Sequence, residues 1–291
     1  MVMGVPPKGL YRHFSQQGID LNTVYDSTTV RSPVIAELVD LWRYRDLLRL
    51  LVTNSIKTRY KRSALGVVWT LLNPLLNTLV LTIAFSQLLR FNLKNYSIYL
   101  LTGLLFWNFF AQTTVQAMNA LIWGSSLLRR IYVPRTIFAV SVVGNGVVNY
   151  LLALIPLGVI MLVMRHPFRL SLLLLPVALL LMAMFTLGIA LFVSTLAVFF
   201  VDVVDVYGIL LSAWFYLTPI IYPLSIVPEK FATFIRFNPM NILLEIFRSL
   251  IYYGEVPSLL KFGGAALMSV VSLLVGWWVF TRKVDEFAYR I

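Results

Sequence analysis

With 291 residues, 59% of them hydrophobic and 12% charged, and a mean hydropathy of +0.84, the chain falls outside the water-soluble globular classes and takes the bilayer as its solvent. Its net charge of +12 comes from Lys and Arg gathered at the ends of apolar runs, with no separate basic domain, which argues against a nucleic-acid partner. The absence of cysteine removes disulfides and thiolate chemistry, and His13 and His166 each stand without a carboxylate or second histidine at ligand spacing, so no metal site is expected.

Residues 1–32 are polar, carry Gly4, Pro6, Pro7, Gly9 and Gly18, and lack the apolar core of a secretory signal, so they are expected to stay in the cytoplasm. Residues 33–64 open with Pro33 to Leu51, where Leu38, Leu41, Trp42, Leu48 and Leu51 recur at helical spacing between Asp40, Arg43, Asp46 and Arg49. That pattern predicts an amphipathic helix lying on the cytoplasmic face. The basic run that follows, Lys57, Arg59, Lys61 and Arg62, fits an orientation signal and headgroup anchor, and Arg59, Lys61 and Arg62 are also candidates to hold the phosphates of an anionic lipid-linked substrate.

Uncharged runs long enough to span, about 20 residues each, lie at about 65–89, 97–123, 138–164 and 170–200. A shorter fifth, about 206–222, ends at Pro219 and Pro223, and a sixth, about 259–280, closes on Trp277, Trp278 and Arg282. Six spans put both termini on one side. Sixteen of the 24 Lys and Arg fall on that side, so the termini, including the tail 281–291, are predicted to be cytoplasmic.

Between spans five and six, Tyr222 to Gly254 holds Pro223, Pro228, Pro239 and five charges, with apolar stretches too short to cross. Physics alone leaves two readings: re-entrant helices dipping in from outside, over 231–253, or helices resting on the outer surface.

No phosphate loop, dinucleotide fingerprint, HExxH or nucleophile elbow occurs, so no catalytic residue is expected and the chain has no means of hydrolysing ATP. Asp202 and Asp205 sit in the short cytoplasmic turn before span five, where capping or a partner contact is the ordinary reading. Polar stripes are the spans' own signal. Asn108, Gln112, Gln116 and Asn119 share one helical face of span two, Ser141, Asn145 and Asn149 share one of span three, and span one adds Asn73 and Asn77. Such amides face a neighbouring helix or a wet pathway, because hydrocarbon satisfies neither donor nor acceptor. Aromatic side chains, with flat apolar faces and polar edges, suit stacked sugar rings as well as interface belts. Trp69, Trp107 and Tyr222 fit a belt; Phe106, Tyr207, Trp214, Phe215 and Tyr216 join the amides as candidates for a lining.

The run Arg59 to Trp69 followed by Asn73-Pro74, and later Thr218-Pro219-Ile220-Ile221-Tyr222-Pro223, Val227-Pro228, Asn238-Pro239, Glu245 and Phe247-Arg248, resembles ABC-2 type permeases that export polysaccharides, O antigens and teichoic acids. Order and spacing match along nearly the whole chain after residue 33. The resemblance implies an all-α membrane protein of six spans with paired re-entrant helices. It implies a homodimer enclosing a channel in the bacterial cytoplasmic membrane, docked on two copies of a separate ABC subunit that binds ATP and Mg, and carrying a lipid-linked glycan. No cofactor is implied on this chain. The resemblance also implies that Leu128, Arg129, Arg130, Tyr132, Pro134 and Arg135 touch the ATPase. Val201-Asp202 departs from the Arg-Asp that the family often carries, and residues 1–32 have no counterpart. The alternative reading is an exporter of drugs or small lipids from the same superfamily. A membrane-embedded transferase or hydrolase would need intramembrane acid–base groups, which spans one to four nearly lack.

Overall fold

The structure is a computed structural model that describes residues 37, 39, 41–61, 72, 75–84, 94–123, 134–283, 286 and 287, without the side chains of 59–61 and 123. It is helical throughout, with no strand among the described residues. In chain order the helices are α1 (Arg45–Lys61), α2 (Leu75–Ala84), α3 (Tyr96–Trp123), α4 (Thr136–Val163), α5 (Leu175–Phe199), α6 (Val203–Leu217), α7 (Glu229–Phe237), α8 (Pro239–Arg248) and α9 (Leu259–Lys283). A 3-10 turn, Leu170–Leu174, leads into α5, and a π turn, Ser249–Tyr253, extends α8 to Gly254, whose φ of 67° ends it in the left-handed conformation open to glycine.

Among the described residues, four helices are long and apolar enough to cross a bilayer: α3, α4, α5 with its leading turn, and α9. Their positions follow the four matching apolar runs in the sequence, since run length against bilayer thickness is a local property. Of the first predicted span only Leu75–Ala84 and Leu72 lie within the described residues. Helix α1 runs on through the first part of the basic run to Lys61 and packs against α4, with Val52 Cγ2 3.3 Å from where a Cβ on Gly144 would stand. Trp42 and Leu50 on this N-terminal segment are exposed, as an interfacial helix requires.

Helix α3 is the axis of the bundle. It packs on α4, α5, α6 and α8, and 78% of its most apolar stretch is buried, against 17% for α9 at the periphery. α9 lies against α5 at a close backbone crossing: a Cβ on Gly188 would fall within the carbonyl of Ser272, and one on Gly276 within the carbonyl of Gly188. Small residues at such a crossing let two helices gain dispersion contact where lipid offers no hydrophobic drive.

The predicted fifth span departs from its expected form. α6 covers 15 residues, roughly 22 Å at 1.5 Å per residue. It stops at Leu217 because Pro219 pushes Thr218 out of the α region, to φ −103° and ψ 129°. The chain then passes through turns and bends beside α3 to Tyr222. Next, α7 and α8 form a hairpin whose Asn238-Pro239 turn is hooked to Trp214 on α6, while the far end of α8 returns to Tyr99 near the start of α3.

Candidate functional site

Backbone that leaves the helix inside an apolar bundle must satisfy its carbonyls some other way. All six carbonyls from Leu217 to Tyr222 are satisfied here. Asn238 Nδ2 donates to Leu217 O at 3.3 Å, and the Ile220 amide donates to Thr218 O at 2.7 Å. Arg248 donates to Pro219 O at 2.6 Å and to Ile220 O at 2.8 Å. Tyr96 and Tyr99 hydroxyls donate to Ile221 O at 2.6 Å and Tyr222 O at 3.2 Å. The Arg248 guanidinium is 4% exposed and lies 3.5 Å from the centre of the Tyr99 ring, so its charge meets carbonyl dipoles and a π face. Asn238 caps α8 through the Met240 amide, accepts from Trp214 Nε1 at 2.9 Å and donates to Thr218 Oγ1 at 3.1 Å. The Thr-Pro, Asn-Pro and Arg248 signals of the sequence therefore form one strap.

Below the strap α2, α3 and α6 enclose a groove of about 520 Å³. Asn77 and Leu81 contribute from α2, Trp107, Asn108 and Ala111 from α3, and Ser212, Phe215 and Tyr216 from α6. Gly208 also lines it, and a Cβ there would meet nothing within 4 Å, so that wall is bare. Trp107 and Phe215 meet edge to face at 5.5 Å, as do Phe215 and Tyr216 at 5.3 Å, which gives the groove an aromatic wall beside its amides.

The amide stripe of α3 is the least buried face of that helix: Asn108 and Gln112 are exposed, and Gln116 and Asn119 half-buried. Asn145 and Asn149 on α4 are half-buried as well. Other expected lining residues stand elsewhere. Phe106 is fully buried against Phe247 of α8, Tyr207 is buried with its hydroxyl on Thr114 Oγ1 at 2.9 Å, and Trp214 is turned to Asn238 and packed on Phe110. These three join helices together and do not face the groove. Trp107, expected in an interface belt, instead stands 11 residues into α3, roughly 16 Å along it. Tyr222 belongs to the strap, its hydroxyl on Tyr216 O at 2.8 Å.

At the other end of the bundle, Arg135 precedes α4 with its guanidinium 5.4 Å from the centre of the Phe287 ring. Phe287 is fully buried against Phe199 and Phe280, a tail contact that sequence reading missed because nothing local marks one phenylalanine among 20. Asp202 occupies the N-cap position of α6 but makes no side-chain capping bond, and both it and Asp205 are exposed, so the capping expectation is corrected. His166 bridges Asn95 and Ile251 O and stacks on Tyr252. Among the described residues no group of three or more His, Asp or Glu could hold a metal ion. Asn73, Arg62, Leu128, Arg129, Arg130 and Tyr132, and the side chains of Arg59 and Lys61, lie outside the described residues, as does His13.

Comparison with known sequences places these features in context. Residues 46–252 match the profile of the ABC-2 type transporter family. The O-antigen export system permease protein RfbA of Myxococcus xanthus is 31% identical over 254 residues, covering 87% of this chain and 98% of its own. A protein of the same description from Klebsiella pneumoniae is 29% identical, over 84% of this chain and 94% of its own. The polysialic acid transport protein KpsM of Escherichia coli is 23% identical, over 81% and 92%.

Proposed function

Because the chain belongs to the ABC-2 type transporter family, we propose that it is the transmembrane permease of an ATP-driven exporter carrying a lipid-linked polysaccharide, such as an O antigen, teichoic acid or capsule-like glycan, across the bacterial cytoplasmic membrane. The chain is the transport component. ATP and Mg belong to a separate ABC subunit, two copies of which drive a homodimer of this chain. Pro134 and Arg135, the latter over Phe287, stand at the end of the bundle proposed to meet that subunit, the side on which the sequence's charge distribution predicts the cytoplasm.

The groove carries this reading. A sugar chain needs flat apolar faces for its C–H surfaces and amides or hydroxyls for its edges. The wall of Trp107, Phe215 and Tyr216 beside Asn77, Asn108 and Ser212 supplies both. The exposed amides of Asn108 and Gln112 also support a homodimer, since a second copy around an aqueous path removes them from lipid.

Six crossings with a re-entrant hairpin fit the same geometry. The Asn238 turn reaches Trp214, which packs on Phe110, 14 residues or roughly 21 Å from the start of α3. The other end of α8 lies by Tyr99, so the hairpin descends and returns from one side. Exposed Phe231, Phe234 and Phe237 on α7 suit contact with hydrocarbon.

The test is reconstitution of the permease with its ABC subunit in lipid vesicles, following glycan export and ATP hydrolysis separately. Tyr216→Ala and Asn108→Leu are expected to lower export while ATP hydrolysis persists. Unchanged export in both variants would remove the groove from the cargo's path.

A further inference from the structure

On the α9 side of the hairpin, a second pocket of about 450 Å³ is formed by Arg236 of α7, Asn241 and Glu245 of α8 and Lys261 of α9. Its apolar side is Leu224, Ile242 and Leu260, and its floor is Gly264, where a Cβ would meet nothing within 4 Å. The polar members are incompletely matched. Glu245 receives Lys261 Nζ at 3.4 Å and Asn241 Nδ2 at 3.4 Å. Asn241 is 2% exposed, yet its Oδ1 has no hydrogen-bond partner. Arg236 is exposed and has no acceptor among the described residues. Two cations and one carboxylate leave one positive charge, beside Leu259 and Leu260, which are 91% and 86% exposed.

A cation without an acceptor, a part-exposed carboxylate and a bare floor next to open leucines describe a site for an amphiphile that carries both kinds of polar group. We propose that this pocket holds the headgroup of a phospholipid. The phosphodiester lies on Arg236 and Lys261, and a donor-bearing far end, an ammonium or a hydroxyl, meets the Glu245 carboxylate. The acyl chains lie over Leu224 and Leu260. Phosphatidylethanolamine and phosphatidylglycerol both meet this requirement; phosphatidylcholine, whose trimethylated nitrogen donates no hydrogen bond, does not. The outer leaflet as source rests on the orientation proposed above, whereas the headgroup chemistry does not.

The experiment is native mass spectrometry of the full-length permease with its ABC subunit, released from nanodiscs of phosphatidylethanolamine, phosphatidylglycerol or phosphatidylcholine, counting retained lipid. The first two are expected to be retained above the third, and Arg236→Gln to reduce retention by roughly tenfold, the loss expected for one charge-assisted hydrogen bond. Gly264→Leu fills the pocket with every charge left in place and is expected to do the same. Equal retention of all three lipids, or retention unchanged in both variants, would overturn the assignment, as would finding a glycan bound there in place of phospholipid. The readout does not involve export, so failure of the export reading leaves it intact.

Discussion

Arg248 and Asn238 turn their donors onto backbone between Leu217 and Tyr222, whereas Asn108 and Gln112, on the same α3 that carries Tyr96 and Tyr99, remain exposed. The strap and the groove use polar side chains in opposite ways. In the strap they replace the helix that Pro219 prevents, so the chain can continue beside α3 without orphaned carbonyls. In the groove Asn108 stands exposed, within reach of something that passes. A family resemblance carried by Thr218-Pro219, Asn238-Pro239 and Arg248 therefore points to architecture, and the residues proposed to meet cargo are the quieter amides and aromatics below.

That contrast can be broken or sharpened by stability measurements on the purified full-length chain. Arg248→Met removes two charge-assisted bonds and a π contact from a buried site and is expected to cost on the order of 3 kcal/mol, read as a lowered thermal midpoint. An unaltered midpoint would show that the strap does not hold the hairpin. Asn238→Ala removes a helix cap together with the Trp214 and Thr218 bonds, and about 2 kcal/mol is expected. Tyr99→Phe keeps the ring beneath Arg248 and loses the hydroxyl's bonds to Tyr222 O and to Arg248, for about 1 kcal/mol. Tyr216→Ala, at a side chain 70% exposed, is expected to fall within about 0.5 kcal/mol of the parent while export declines. Should Tyr216→Ala destabilise the chain as much as Asn238→Ala does, groove and strap would be one structural unit and the contrast would fail.

The aromatic candidates show why the sequence could go only part of the way. Trp214, Phe215 and Tyr216 are consecutive, so they point about 100° apart on α6. Phe215 and Tyr216 reach the groove, while Trp214 turns to Asn238, 24 residues away. The stripe from Asn108 to Asn119 was readable because helical periodicity puts those residues on one face whatever surrounds them. That this face is the open one depended on where α4, α5 and α8 pack.

By itself the sequence determined the solvent, the all-helical class and the positions of α3, α4, α5 and α9, because an uncharged run of sufficient length meets the bilayer's thickness without help from the rest of the chain. Only the tertiary structure decided that Arg248 serves carbonyls 28 and 29 residues away and that Trp107 lines a groove. Those outcomes turn on which donor finds which acceptor across helices, a pairing set by the packing around α3 and written in no local pattern.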